Sequence, residues 1–261
     1  MYRNIALTKM KEEFAYKHRS IISFVSSILS VFILWFVWTA IFQSSPETVI
    51  GGFTLETMMT YVIIAVVLRS ILYSYIENNI EFDVRTGYIS IQIVRPYIYP
   101  VYYFFIAIGN VLYRFVINAM PILLIGFVFL NISLPMNPIL FLISLGLGFV
   151  VNFLLVLLTG LWAFWSMGSI WGIKYTRQVV SEVVSGSIIP LTLLPVWLAN
   201  IAEMLPFKSI YYTPISIYVG HITGEQVIYA ILQQIFWIGA LFAFAYFVWK
   251  KSENKVISQG G

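Results

Sequence analysis

The sequence predicts an all-α integral membrane protein. Residues 1–261 form a single transmembrane domain of six transmembrane helices, with an interfacial helix at the N-terminus and outer re-entrant helices. Three observations carry that fold class. The chain is 60% hydrophobic and only 10% charged, whereas soluble domains are roughly 45–50% apolar and about 25% charged. A chain of this size leaves about a quarter of its unfolded surface in contact with solvent, and too little polar side chain is present to cover it. Six apolar runs are each long enough to cross about 30 Å of hydrocarbon, and the basic residues between them fall almost entirely on one side.

The polar start, MYRNIALTKMKEEFAYKHRS, is too long for the basic region of a signal peptide, and no small-residue cleavage site follows the first apolar run. Residues 4–18 mix Ile5, Leu7, Met10, Phe14 and Tyr16 with Lys9, Lys11, Glu12 and Glu13, which predicts a helix lying in the headgroup plane. The spans follow in order: Ile21 to Phe42, Phe53 to Tyr75, Leu112 to Asn131, Ile139 to Met167, Val179 to Ala199, and Val227 to Trp249. The fourth is long for one crossing and is expected to tilt or extend. Trp162, Trp165 and Trp171 near its end match an interfacial aromatic belt. Pro190 and Pro195 predict a kink in the fifth.

Of 15 Lys and Arg residues, twelve fall on the N-terminal side of this arrangement: Arg3, Lys9, Lys11, Lys17, Arg19, Arg85, Arg95, Lys174, Arg177, Lys250, Lys251 and Lys255. Lys208 falls on the other side, and Arg69 and Arg114 lie within or at the edge of spans. The positive-inside rule then predicts cytoplasmic N- and C-termini in the cell membrane. Residues 201–224 are too apolar for an ordinary loop and too interrupted by Pro206, Pro214 and Gly220 for a straight span, so they predict short helices dipping into the outer leaflet.

Signatures of catalysis are missing from the sequence. It contains no phosphate-binding G-x-x-x-x-G-K-[ST] loop, no H-E-x-x-H and no G-x-S-x-G. It has no cysteine, and its two histidines, His18 and His221, are predicted on opposite sides of the membrane, so no metal site is expected. Arg69 and Arg114 are close enough to span ends to reach the interface, and Glu182 is placed to pair with Arg177 or a neighbouring helix. No acidic residue sits at mid-span, and no matched broken helices mark two halves of the kind that secondary transporters carry.

The most charged loop reads IEFDVRTGYISIQIVRPYIYP, Ile80 to Pro100. Glu77 and Glu81 share a face of a helix prolonging the second span. Gly87 supplies a positive-φ turn, and Arg95 precedes Pro96, which ends any helix there. Between them, Tyr88 to Val94 is a short apolar piece; Ile89, Ile91 and Ile93 alternate as in a strand, and periodicity leaves helix and strand both open.

The run FDVRTGYISIQIVRP, Phe82 to Pro96, resembles the first inner loop of ABC-2 type transporter permeases. LPFKSIYYTPISIYVG, Leu205 to Gly220, resembles the outer segment of the same family, in the branch found as paired permeases. The resemblance covers essentially the whole chain and implies an exporter subunit without catalytic residues of its own. Two copies of a separate ATPase would bind ATP and Mg, and a second permease, identical or related, would complete the path. It implies that residues 80–96 form a cytoplasmic coupling helix and its loop. Asp83, Arg85, Gly87, Arg95 and Pro96 would frame an ATPase dock, and Tyr88, Ile89, Ile91 and Ile93 would be the inserted knob. It places the path near spans one, two and five, so that Trp35, Trp38, Arg69, Ser181, Ser185 and Ser187 are candidates. Pro206, Phe207, Pro214 and Gly220 would form an outer gate. No nucleic-acid partner is implied; the bilayer is. The rival readings are an ion-gradient-driven secondary transporter and a non-transporting scaffold subunit.

Overall fold

The computed structural model describes residues 2–15, 17–166 and 169–259. Tyr16 of the expected interfacial helix and Met167 at the expected end of the fourth span lie outside them. The first helix, α1 (Tyr2–Ala15), packs along α6 (Tyr99–Arg114): Tyr2 stacks on Phe105 at 5.2 Å and Phe14 meets Tyr113 edge-on at 4.7 Å. Next come α2 (Lys17–Ser44) and a two-residue antiparallel ladder, β1 (Val49–Ile50) with β2 (Phe53–Thr54). Thr54 caps α3 (Leu55–Leu72) by accepting the Thr57 N–H at 3.3 Å, which satisfies one of the donors a helix start leaves free.

α3 is the centre of the fold. From Met58 to Leu72 every residue is buried except Arg69. A helix that is apolar on all sides belongs inside a bundle, and α2, α6, α7 (Met120–Phe129) and α11 (Tyr212–Tyr218) pack around it. α4 (Ile76–Arg85) and α5 (Ile89–Val94) extend from its end. α8 (Pro138–Leu161) joins α4 to the final helix, α12 (Glu225–Gln259).

Among the described residues, 5 helical stretches are long and apolar enough to cross a membrane: Phe24–Ser44, Leu55–Arg85, Tyr99–Phe129, Pro138–Phe164 and Glu225–Lys255. These overlap the first four of the expected spans and contain the sixth. The third starts at Tyr99, well ahead of Leu112. Pro100 sits in its first turn, where a missing N–H leaves no bond unmade. Its middle widens into a π-helical turn, Phe115–Ala119, just ahead of Pro121. That proline lacks an N–H for the carbonyl four residues back and its ring crowds it, so the wider turn absorbs the conflict.

The fifth expected span, Val179 to Ala199, is not one kinked helix. The chain forms α9 (Trp171–Val184), an irregular stretch from Ser185, a short turn at Leu191–Leu193 and α10 (Val196–Met204). Gly186 has φ +74, and Pro190 and Pro195 follow. A left-handed glycine ends a helix, and two prolines keep it from resuming, so the break is complete rather than a bend. After α10 the chain continues through a turn at Pro206–Ser209 and then α11.

Candidate functional site

The site is built where α3 ends. The chain leaves the helix for Tyr73–Tyr75 and resumes as α4 at Ile76. The last carbonyls of a helix need donors from elsewhere, and side chains supply them here. Asn152 of α8 donates to the Leu72 carbonyl at 2.8 Å, and Arg114 of α6 donates to the Ser70 carbonyl at 3.3 Å. The Arg114 guanidinium also lies over the rings of Tyr73 and Tyr75, 5.1 and 5.7 Å from their centroids. A cation at this helix end is favoured by the backbone dipole as well.

One turn further, Glu77 is 1% exposed. Arg177 of α9 donates to its Oε2 at 2.8 Å, Lys174 Nζ lies 4.0 Å from its Oε1, and Lys174 donates to Asn78 at 2.8 Å. The sequence offers Arg177 or a neighbouring helix as the partner of Glu182. The structure gives Arg177 to Glu77 instead, so α4 and α9 are tied by buried charge.

These elements surround a cavity of ≈ 500 Å³ bounded by α1, α2, α3, α4, α6, α8 and α9. Arg69, Ser181 and Ser187, named from the sequence, all line it. Trp35, Trp38 and Ser185 do not: Trp38 is buried in the core, Trp35 packs against that core, and Ser185 is buried where its carbonyl accepts the Tyr212 N–H at 2.9 Å. The structure adds Ser26 and Ser30 of α2, Arg114, Asn118, Asn152 and Arg177 to the wall. Serines four apart in an otherwise apolar helix, and asparagines inside apolar runs, were the available signals. Among the described residues, no group of three His, Asp or Glu is placed to hold a metal ion.

The charged loop is a turn and a short helix, so the helical alternative for Tyr88 to Val94 holds. Gly87 adopts φ +72 with open space around it, as a helix-ending turn requires. Arg85, Arg95 and Pro96 are exposed. Arg95 donates to the Tyr88 hydroxyl at 2.9 Å, and the Tyr97 hydroxyl donates to Gln92, which closes the loop on itself. On α5, Ile89 is buried and Ile93 partly so, whereas Ile91 and Val94 are 55% and 85% exposed. Asp83, expected to frame the dock with these residues, is not on the surface with them. It is buried and accepts the hydroxyls of Tyr99 and Tyr103 at 2.8 and 2.7 Å, so it anchors the loop from beneath.

At the opposite end, Pro206 and Pro214 are buried and Phe207 is partly exposed. Gly220 has φ +72 and packs against Met136, whose N–H reaches the Tyr218 carbonyl at 2.9 Å. Lys208 is half-buried; desolvation lowers its pKa, and the charge of Glu203 partly opposes that. Phe53 of the hairpin stacks on His221 at 4.3 Å, and burial pushes the imidazole pKa below its usual value.

Long apolar helices around a polar internal cavity define the chain as a multi-pass α-helical membrane protein. It belongs to the ABC-2 transporter family: the family model described as ABC-2 family transporter protein matches residues 27–260. The chain is therefore a transporter permease, of a family whose permeases work with an ATPase partner. No curated relative matches the sequence.

Proposed function

We propose that this chain is the membrane subunit of an ATP-driven exporter, set in the cytoplasmic membrane of a prokaryote with both termini inside. Two copies of a separate ATPase, holding ATP and Mg, dock on the end that carries α4 and α5. A second permease, identical or related, completes the path. The chain crosses six times, the fifth crossing being the broken α9–α10 segment, and residues 201–224 dip into the outer leaflet as a gate.

One observation carries the coupling reading. α5 presents exposed apolar Ile91 and Val94 between exposed Arg85 and Arg95, and its neighbour α4 is bound to α9 through Glu77 and Arg177. A small apolar knob with a charged rim fits a docking joint. Movement of that joint is passed to α9 because separating a buried ion pair is costly. Closure of an ATPase dimer would thus shift α4 and α9 as a unit and change the cavity that both of them line.

The test is to tag the chain, extract it gently with an ATP analogue present, and identify what copurifies. A stoichiometric ATP-binding protein, lost on Val94→Asp or Ile91→Asp while the chain still folds, is the expected result. Reproducible isolation of the wild-type chain alone would reject the coupling reading and favour gradient-driven transport.

A further inference from the structure

The cavity beside α3 carries charges of both signs in equal number. Its wall carries Arg69, Arg114 and Arg177 together with Glu13, Glu77 and Glu182. Glu13 shares Lys9 with Glu12, at 2.9 and 3.2 Å, and Glu77 is held by Arg177 at 2.8 Å. Arg69, Arg114 and Glu182 form no ion pair among the described residues, which leaves two guanidinium groups facing one carboxylate.

Arg69 is the more telling of the two. Arg114 has a carbonyl and two ring faces to satisfy it. Arg69 has no hydrogen bond among the described residues, although it stands on the most buried helix of the molecule. Arg69 is the one residue from Met58 to Leu72 that is not buried, so an anion in the cavity can reach it, and a guanidinium presents a planar fork that matches phosphate and carboxylate oxygens. Tyr73 and Tyr75 are exposed at the rim, and Ser26 on α2 is exposed as well, so the cavity opens to the surface. Leu29 and Ile33, each three residues beyond one of the serines, and Val37, four beyond Ile33, are exposed and apolar on the same helix. A polar hollow in which two guanidinium groups, outside any ion pair among the described residues, face one carboxylate therefore gives onto an apolar helix face. Its volume is within the roughly 300–1,000 Å³ of small-molecule sites.

From this we infer that the cavity receives the anionic head, phosphate or carboxylate, of an amphiphilic molecule whose apolar part lies along α2. Arg69 takes the anion, Arg114 supports it, and Ser26 and Ser30 line the mouth. This deepens the permease reading by naming a ligand class for the cavity. The shared chemistry is the anionic group, whether borne by a membrane lipid or by a free organic anion.

The experiment uses the full chain in nanodiscs of phosphatidylcholine containing one-tenth phosphatidylglycerol, with retained lipids counted by native mass spectrometry. Phosphatidylglycerol should be retained over phosphatidylcholine by about tenfold beyond its share, and Arg69→Gln should remove most of that preference. Arg69→Lys should keep most of it. Ser30→Leu, which narrows the mouth without altering charge, should lower it. Because Arg114 supports the end of α3, Arg114→Gln is interpreted only if its thermal unfolding matches the wild type. Phenyl phosphate added to all-phosphatidylcholine discs is the second arm; its retention, dependent on Arg69 and without a phosphatidylglycerol preference, supports the site with a free anion as its source. No retention of either probe, or retention unchanged in Arg69→Gln, overturns the proposal. ATPase copurification is scored separately, so a failed anion site and a failed coupling reading give different results.

Discussion

The two ends of α3 are held by opposite kinds of interaction. At its C-terminal end, polar side chains from other helices do the work: Asn152 and Arg114 on the last carbonyls, then Glu77 against Arg177 and Lys174. At its N-terminal end, the ties are aromatic faces and backbone. Phe53 stacks on His221, Tyr61 donates to the Gly186 carbonyl at 2.6 Å, and Thr192 donates to the Gly51 carbonyl at 2.8 Å. A buried ion pair is strong only while both partners remain, and it holds two helices at one relative position. Aromatic stacking and hydrogen bonds to carbonyls, where no ion pair accompanies them, tolerate small slides. The first end is suited to transmitting a displacement, the second to seating a segment that moves.

The largest effect should come from removing one partner of the buried pair. Glu77→Gln leaves Arg177 and Lys174 facing an uncharged amide; both keep some solvent contact, so the cost should be at the lower end for a broken buried pair, about 3 kcal/mol. Thermal unfolding of the solubilised chain should fall sharply. Adding Arg177→Met should restore part of the loss, because the orphaned guanidinium is removed with it. If the double variant unfolds no later than Glu77→Gln alone, the two residues do not act as a pair.

At the other end the sharpest break is Gly186→Ala. Gly186 has φ +74, and a Cβ there would lie 2.8 Å from Tyr212 Cβ and 2.9 Å from Tyr61 Oη. The left-handed backbone alone costs roughly 1–2 kcal/mol for a residue with a Cβ, and displacing Tyr61 adds the loss of its hydrogen bond, about 1 kcal/mol. Tyr61→Phe isolates that second part and should cost about 1 kcal/mol. Hydrogen exchange at residues 185–193 should rise in both variants while residues 76–85 stay protected. Equal loosening of both ends would show that α3 is held as one unit and that the contrast has no mechanical meaning.

The second end was also the harder one to read in sequence. Five of the spans were legible because apolar length is a local property, and Gly87 because its turn is local too. The fifth misled for the same reason: Val179 to Ala199 is apolar enough on average to cross, and composition does not register that Gly186 takes a left-handed φ before two prolines. The third began late because the aromatic, proline-containing start of α6 reads as a loop, although proline in a first turn is a helix signal. Asp83 looked solvated among its charged neighbours; its burial depends on hydroxyls 16 and 20 residues away. Glu77 finds its partner 100 residues on, and no periodicity points to it. Of the cavity, Arg69 and Ser181 were visible as polar exceptions in apolar helices, but their convergence with Arg114 and Asn118 is a property of the bundle.

The smallest expected effect concerns pH at the hairpin end. His221 is half-buried between Phe53 and the start of the final loop, with the Tyr212 ring centroid 6.5 Å away. Burial lowers its pKa from 6.5, so the folded chain prefers the neutral ring. The unfolded or detached segment takes up a proton more readily. The stacking contact is therefore at full strength above the unfolded pKa and weakens as pH falls through 6.5 toward the lower folded value. Because the ring retains solvent contact, the effect should stay below about 1 kcal/mol. Hydrogen exchange at residues 49–54 and 216–222, corrected for intrinsic rates, should rise between pH 7.5 and 5.5. His221→Phe keeps the stack without the titration and should flatten that dependence, while exchange at residues 76–85 should not follow His221 at all. A pH response that survives in His221→Phe would place its origin elsewhere. The hairpin end would then be held by shape alone.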